Sequence, residues 1–417
     1  MPSLPQVFDL PLPELLLEGG AWLTSHVARG WWWGPGQEEA WLRSRAHVLP
    51  EAEVRRNALR PVHRTRAEQR QLGLALNPRA FQKPDPSVPT VLLVHALTGD
   101  MRAGGPGGWW EPLIGPGRPL DPERMRLLCF NNLGSCYGSS GPADEGFPSR
   151  AEDRRTGGFA PPFLAPPSLE ERVLPATVTP WDQARAILQA LDALGIQQVD
   201  LLAGGSLGGM IVLCLAVLAP ERFERLLPIA ACEAASSWIT GWNHVARQAL
   251  LLDLAFPEAA PRGLELARQL AMLTYRAEPG LELRQARPPP EQPLGGLYPV
   301  QGYLEHQGEQ LRARFDARAY LALLGAMDHH DLSRRPGTAP EGGWGASRIR
   351  ASTLCVGIDR DQLFFPSHMV ALSERLRMQG RHSEYAELPS LHGHDGFLIE
   401  WEPLEGLVRR ALALPVP

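Results

Sequence analysis

The sequence predicts an α/β chain, a mostly parallel sheet with helices on both faces and a helical cap (lid) inserted between two of its strands. Three observations carry this expectation. Short apolar, β-branched runs alternate with stretches that are apolar at helical spacing, the pattern of a buried parallel sheet. The interval 240–345 breaks that rhythm and reads as helix throughout, with Pro/Gly-rich breaks. Between them, a serine flanked by glycines marks the point where a strand run gives way to a helix run.

Taken in order, "TVLLVHAL" (90–97) reads as a buried strand stopped by "TGD", and "MRLLCFNNLG" (125–134) repeats the pattern. "WDQARAILQALDALGI" (181–196) carries apolar residues at helical spacing and stops at Gly195. "QVDLLAGG" (198–205) is the next strand, and the apolar helix 209–219 follows it. "FERLLPIAA" and "ASTLCVGI" (351–358) are two further strands. The segments "LELARQLAML" and "LRARFDARAYLALLGAM" supply the helices of the cap. Residues 35–88 are polar, Arg-rich and interrupted by proline, and read as an insertion ahead of the strand at 90. The expected organisation is a core over 1–232 containing that insertion, a cap over 233–349, and the rest of the core over 350–417.

Composition excludes several classes. A net charge of -5 is not that of a nucleic-acid binder, which needs a basic face. The Arg-dense stretch from Arg55 to Arg70 reads as a solvated surface. Five cysteines without a CxxC pair imply neither a disulfide scaffold nor a zinc site, and Cys214 and Cys355 lie in apolar runs as small core residues. Lys83 is the single lysine and lies in a Pro-rich loop, so neither a Walker loop nor a Schiff-base enzyme is indicated. "MPSLPQVFDL" lacks the pattern of a signal peptide, and no window reaches the roughly 18 apolar residues of a membrane span. A soluble, cytoplasmic protein is expected.

The serine turn carries the chemistry. Gly204-Gly205-Ser206-Leu207-Gly208 matches G-x-S-x-G between an apolar strand and an apolar helix, the setting of a nucleophile on a strained turn. Phosphate binding would want G-x-G-x-x-G or a following lysine, and neither is present. Such a nucleophile needs an acid and then a histidine on later loops. "VGIDRDQLFF" offers Asp359 and Asp361 at the end of a strand, and "LPSLHGHDGF" offers His392 and His394. The backbone amide of Leu207 is one expected oxyanion donor, and that of Leu97, in the loop after the strand at 90, is the other.

Several segments together resemble one family. "VHALTGD", "GGWWEPLIGPG", "NNLGSCYGSSGP", "GGSLGGM", "YLEHQGEQLRARFDARAYLALLGAMDHHDL", "DRDQLFFP" and "GHDGFLIE" run in the order found in homoserine O-acetyltransferases and their homoserine and serine acyltransferase relatives, of the α/β-hydrolase fold. They span about residues 90–400. The resemblance implies a triad of Ser206, Asp361 (in "DQLF") and His394 (in "GHDGF"). It implies that Asp395 meets a substrate ammonium and that Arg247, in "WNHVARQAL", pairs with a substrate carboxylate. It places "MDHHDL" (327–332) in a cap helix rather than at a metal.

The activity so implied is acyl transfer from acetyl-CoA, or from succinyl-CoA, to L-homoserine through an acyl-serine, a step of methionine biosynthesis. No resident cofactor or metal is implied, no nucleic acid or membrane partner, and a homodimer through the cap helices is. Alternatives on the same residues are a homoserine or serine O-succinyltransferase and a serine esterase. A catalytically dead interaction protein fits poorly, because all three triad residues are intact. The chain also departs from the family pattern. Residues 35–88 are longer than the usual lead-in, Ser135 replaces a usual glycine, and "LLLDLAFPEAAPRG" after Arg247 loses a Gly-x-Tyr.

Overall fold

A computed structural model describes residues 4–56, 60–76, 81–150, 174–257, 259–287, 298–336 and 343–417. Parts of the 35–88 segment and of the expected cap, including two of its Pro/Gly-rich breaks, lie outside the described residues.

The chain opens on β1 (Gln6–Leu12), a two-stranded ribbon of β2 (Leu15–Leu16) and β3 (Trp22–Leu23), and β4 (His26–Trp33). Then come α1 (Glu39–Arg45), β5 (His47–Val48), α2 (Glu51–Arg56) and α3 (Arg66–Ala75). The central strands are β6 (Thr90–Val94), β7 (Arg126–Phe130), β8 (Leu201–Gly205) and β9 (Arg225–Ile229). Helix α4 (Pro180–Leu194) precedes β8 and α5 (Leu207–Leu218) follows it. Five helices then run together: α6 (Ser237–Leu251), α7 (Pro261–Tyr275), α8 (Glu278–Gln285), α9 (Pro299–Arg312) and α10 (Ala317–Asp328). The chain returns through β10 (Ser352–Ile358), α11 (Pro366–Met378), β11 (Ser383–Leu388) and α12 (Trp401–Leu412).

Nine strands form one sheet in the order β11-β10-β9-β8-β6-β7-β4-β1-β5. The six from β11 to β7 are mutually parallel, and β4, β1 and β5 add an antiparallel edge. Strands β6 and β8 are buried at every residue, which is why they read as unbroken apolar runs rather than as alternation. Helix α4 begins with a reciprocal capping box between Thr179 and Asp182. It stops at Gly195, whose left-handed φ of 76° a side chain would resist. No described helix is long and apolar enough to cross a membrane.

The antiparallel edge has no counterpart in the expectation, which placed no strand before residue 90. Strand β4 ("HVARGWWW") is almost wholly buried, so it lacks the alternation that marks a half-exposed strand. In β1, Pro11 breaks the strand signal; it is tolerated because β5 pairs only with Phe8 and Asp9, leaving that edge open. Asp9 of β1 holds two buried arginines, Arg29 Nε at 2.7 Å and Arg64 Nη2 at 2.7 Å. Burial alone would raise the Asp9 carboxyl, but the two guanidinium groups outweigh it and hold it below its ordinary value. Arg64 therefore departs from the solvated reading of its stretch, whereas Arg66 and Arg70 are exposed as expected. Glu38 is likewise buried against Arg126 of β7, so the 35–88 segment is tied to the sheet by charge pairs near its start and near its middle.

The junction of β8 and α5 is closely packed. A Cβ on Gly208 would lie 2.2 Å from the carbonyl oxygen of Val94, and one on Gly205 would lie 2.6 Å from the Phe397 ring. Gly208→Ala is expected to destabilise the protein by about 2–4 kcal/mol, because backbone cannot retreat as a side chain can. Urea unfolding followed by circular dichroism checks this. A midpoint equal to that of the parent chain would refute the packing account.

Candidate active site

Ser206 stands between β8 and α5 with φ 58° and ψ -127°, a strained conformation for a residue with a side chain. The strain is held by backbone on both sides: its N–H donates to Ile229 O at 3.0 Å, and its C=O accepts from Met210 N at 3.0 Å. The side chain is thereby pushed out at the start of α5, and Ser206 lines a cavity of about 270 Å³. That is just below the roughly 300–1,000 Å³ of small-molecule pockets.

His394 lines the same cavity, in a short 3-10 turn over Gly393–Leu398. Its Nδ1 donates to Asp361 Oδ2 at 2.7 Å, with both side chains almost completely buried. The other carboxylate oxygen of Asp361 accepts from the backbone N–H groups of Leu363 and Phe364, each at 2.8 Å. The imidazole stacks on Phe364 with centroids 5.1 Å apart and meets the Phe397 ring edge-on at 5.9 Å. Burial works against the imidazolium, but the Asp361 charge and its hydrogen bond prevail, so the His394 pKa is raised above its ordinary 6.5. Ser206 and His394 thus line one cavity, and Asp361 holds the imidazole at Nδ1.

The alternatives at both positions lie elsewhere. Asp359 is part-exposed and pairs with Arg360 at 3.3 Å. His392 is buried outside the cavity lining, with its backbone N–H on Ser390 Oγ at 2.9 Å. In "MDHHDL", His330 is buried with Nε2 2.7 Å from Cys232 O, and His329 Nδ1 lies 2.8 Å from Gly325 O. The His329 contact caps the end of α10, and the His330 contact ties that end to the segment after β9. All five cysteines are buried and free, and burial raises their thiols.

Leu97 lines the cavity in the loop after β6, and Leu207 is the first residue of α5, whose opening N–H groups have no partner within the helix. The loop is braced through one peptide unit. The Asn132 N–H donates to His95 Nε2 at 3.0 Å, so the ring proton is on Nδ1, which donates to Ala96 O at 2.8 Å. The Gly99 N–H donates to the same carbonyl at 3.0 Å. In a trans peptide the C=O and the following N–H point in opposite directions. Pinning Ala96 O therefore turns the Leu97 N–H the other way. Arg314 adds a brace on Thr98 O at 2.8 Å.

The expected substrate residues separate. Asp395 lines the cavity, and its Oδ2 lies 3.2 Å from Arg276 Nε. Arg247 is not among the cavity-lining residues; its guanidinium pairs with Asp328, whose second oxygen accepts from Asn243 Nδ2 at 2.8 Å. Sequence reasoning missed Arg268 and Tyr275 of α7 and Arg276 at its C-cap, all of which line the cavity. A signal for the first two existed. Leu264, Arg268 and Tyr275 fall on one face of α7 by helical spacing, so Arg268 interrupts a stripe that otherwise faces inward.

The family described as alpha/beta hydrolase fold matches residues 89–398. A homoserine O-acetyltransferase of Thermus thermophilus is 38% identical over 340 residues, 76% of this chain and 80% of that protein. Among solved structures, a homoserine O-acetyltransferase from Bacillus anthracis superposes with a TM-score of 0.72 at 18% identity, over 100% of this chain and 99% of its own. Esterase E22 superposes with a TM-score of 0.67 at 17% identity, over 99% and 100%. The two structural likenesses speak to the fold alone, since a transferase and an esterase share it almost equally.

Proposed function

The chain belongs to the homoserine O-acetyltransferase family of the α/β-hydrolase fold, and on that premise we propose that it transfers an acetyl group from acetyl-CoA to the hydroxyl of L-homoserine. The observation that supports this most is the company Ser206 keeps. Its cavity is lined by Asp395, Arg268 and Arg276 together with the apolar side chains of Leu97, Phe397 and Leu398. A hydrolase needs only water as acceptor, and water needs no such charges. A zwitterionic amino acid does.

In the proposed reaction His394 removes the Ser206 proton as the hydroxyl oxygen attacks the thioester carbon. The amides of Leu97 and Leu207 take the charge on the tetrahedral oxyanion. The C–S bond then breaks, and His394 gives its proton to the departing sulfur, so that CoA leaves as the thiol and the imidazole is neutral again. Homoserine enters, its hydroxyl gives a proton to His394, and its oxygen attacks the acyl-serine. Collapse returns the proton to Ser206 and releases the O-acetyl ester. The helices above the cavity restrict water, which competes for the same intermediate. The reading places the reaction in methionine biosynthesis in the cytoplasm, with acetyl-CoA as substrate rather than resident cofactor, and in a homodimer joined through the cap helices.

The test is to incubate the protein with acetyl-CoA, with and without L-homoserine, following free thiol and O-acetyl product. Thiol release that requires homoserine and matches the ester formed supports the proposal. Release indifferent to homoserine and yielding only acetate would make the protein a hydrolase.

A further inference from the structure

Arg314 lies in the bend between α9 and α10, and its side chain ends on the loop that carries Leu97. Its Nη1 donates one hydrogen to Thr98 O at 2.8 Å and the other to Tyr137 Oη. Phe315, the next residue, is buried edge-on against the Tyr137 ring with centroids 5.6 Å apart, which anchors the bend in the core. Arg314 is not among the residues lining the Ser206 cavity. The Leu97 loop itself is a tight turn, closed by the Gly99 N–H on Ala96 O at 3.0 Å. A Cβ on Gly99 would lie 3.0 Å from the His95 Cβ and 3.3 Å from Ala96 O.

Two peptide units therefore stand in series. Arg314 donates to the C=O of the Thr98–Gly99 peptide, and the N–H of that peptide donates to Ala96 O. The Ala96–Leu97 peptide so engaged presents its own N–H, that of Leu97, on its opposite side. The two dipoles run head to tail from the guanidinium to the Leu97 amide. From this series we infer that Arg314 is a positioning residue for the oxyanion hole, its positive charge acting on the Leu97 N–H through two intervening peptides.

A cation on Thr98 O draws electron density from that peptide and makes the Gly99 N–H a stronger donor. The stronger donor polarises the Ala96 carbonyl, which leaves the Leu97 N–H more positive. His95 Nδ1 also donates to Ala96 O, at 2.8 Å, but burial lowers the pKa of this ring and keeps it neutral, so it supplies orientation rather than charge. The benefit is small for the neutral carbonyl of a bound thioester and large for an oxyanion. Arg314 should therefore act on rate and not on affinity, and on acylation and deacylation alike.

This role rests on Leu97 as an oxyanion donor in the proposed acyl transfer, and not on homoserine as the acceptor. The full chain and its R314M, R314Q and R314K variants are mixed rapidly with acetyl-CoA, and separately with p-nitrophenyl acetate, and the first release of thiol or p-nitrophenol is timed. R314M is expected to slow both releases by about 10- to 100-fold, below the roughly 10²- to 10³-fold cost of deleting an oxyanion donor, because the donor is still present. Discharge of the acetyl-enzyme by homoserine should slow by a similar factor, with the KM for homoserine unchanged. R314K keeps the charge on Thr98 O and should stay within about threefold of the parent. R314Q is neutral and carries the comparison with R314K if R314M does not reach the parent's circular dichroism.

A second readout separates charge from shape. A trifluoromethyl ketone thioether of CoA adds to Ser206 as an anionic hemiketal, and its inhibition constant should rise in step with the lost rate. S-ethyl-CoA has no carbonyl and should bind all variants alike. Unchanged release in the neutral variants would overturn the inference. So would equal losses in R314K and the neutral variants, or equal weakening of both CoA analogues. If the parent releases thiol but transfers nothing to homoserine, the transferase reading falls and the role of Arg314 stands. If it releases neither thiol nor p-nitrophenol, both fall.

Discussion

Replacing Ser206 by alanine is expected to lower the rate of acyl transfer by about 10⁴-fold or more while leaving the fold intact. The size follows from what the hydroxyl does. Without it there is no acyl-enzyme, and homoserine must meet acetyl-CoA directly in a cavity that still offers the Leu97 and Leu207 amides. Those amides account for the residual rate. Stability should change little, by less than about 1 kcal/mol, because the strained backbone is held by Ile229 O and Met210 N, contacts that alanine keeps. Two measurements check this: steady-state thiol release, and mass spectrometry of protein quenched after mixing with acetyl-CoA. The parent should carry an acetyl adduct on the Ser206 peptide and the variant none. A variant that retained the parent rate would remove Ser206 from the chemistry.

How much of this was legible in the sequence depends on what each feature must satisfy. Strands β6 and β8 were readable because a parallel strand buried on both faces has to be apolar throughout. The turn at Ser206 was readable because Gly205 and Gly208 have neighbours so close that no side chain fits. The antiparallel edge was not readable. Asp9, Arg29 and Pro11 look like loop residues until the fold supplies the partners that make them a strand core. A buried charge can be recognised only from its counter-charge, and Arg64 lies 55 residues from Asp9 in the chain.

The site divides in the same way. Ser206 comes from a short local pattern, whereas Asp361 and His394 are each one of two choices until the family resemblance selects them, and the structure brings these two together at 2.7 Å beside the serine's cavity. The charges meant for a substrate depend instead on which helix faces which. Arg247 on α6 and Arg268 on α7 both lie at helical spacing from buried residues. Nothing in the sequence tells that Asp328, at the end of α10, engages the first and leaves the second open. Pairing between helices distant in sequence decides which charge is free, and local periodicity carries no information about it.

Asp361→Asn is expected to cost nearly as much as the loss of Ser206, about 10⁴-fold in kcat, although only one oxygen becomes nitrogen. The backbone N–H groups of Leu363 and Phe364 both donate to Asp361 Oδ1. An asparagine must keep its carbonyl oxygen toward those donors, which turns its NH2 toward His394 Nδ1. Two donors cannot face each other, so the ring gives up its Nδ1 proton and carries it on Nε2 instead. That nitrogen can then no longer accept a proton from Ser206. The pH profile should move as well. The parent base works only when neutral, so kcat/KM should rise with pH through a value above 6.5, because Asp361 favours the protonated ring. Without the carboxylate the burial of the ring dominates, the pKa falls, and the acid limb should shift to lower pH on a much lower plateau. Asp359→Asn is the control: its carboxylate is part-exposed beside Arg360, and its rate should stay within about twofold of the parent. Equal losses in the two variants, or an acid limb that stays in place in Asp361→Asn, would show that Asp361 does not set the state of His394.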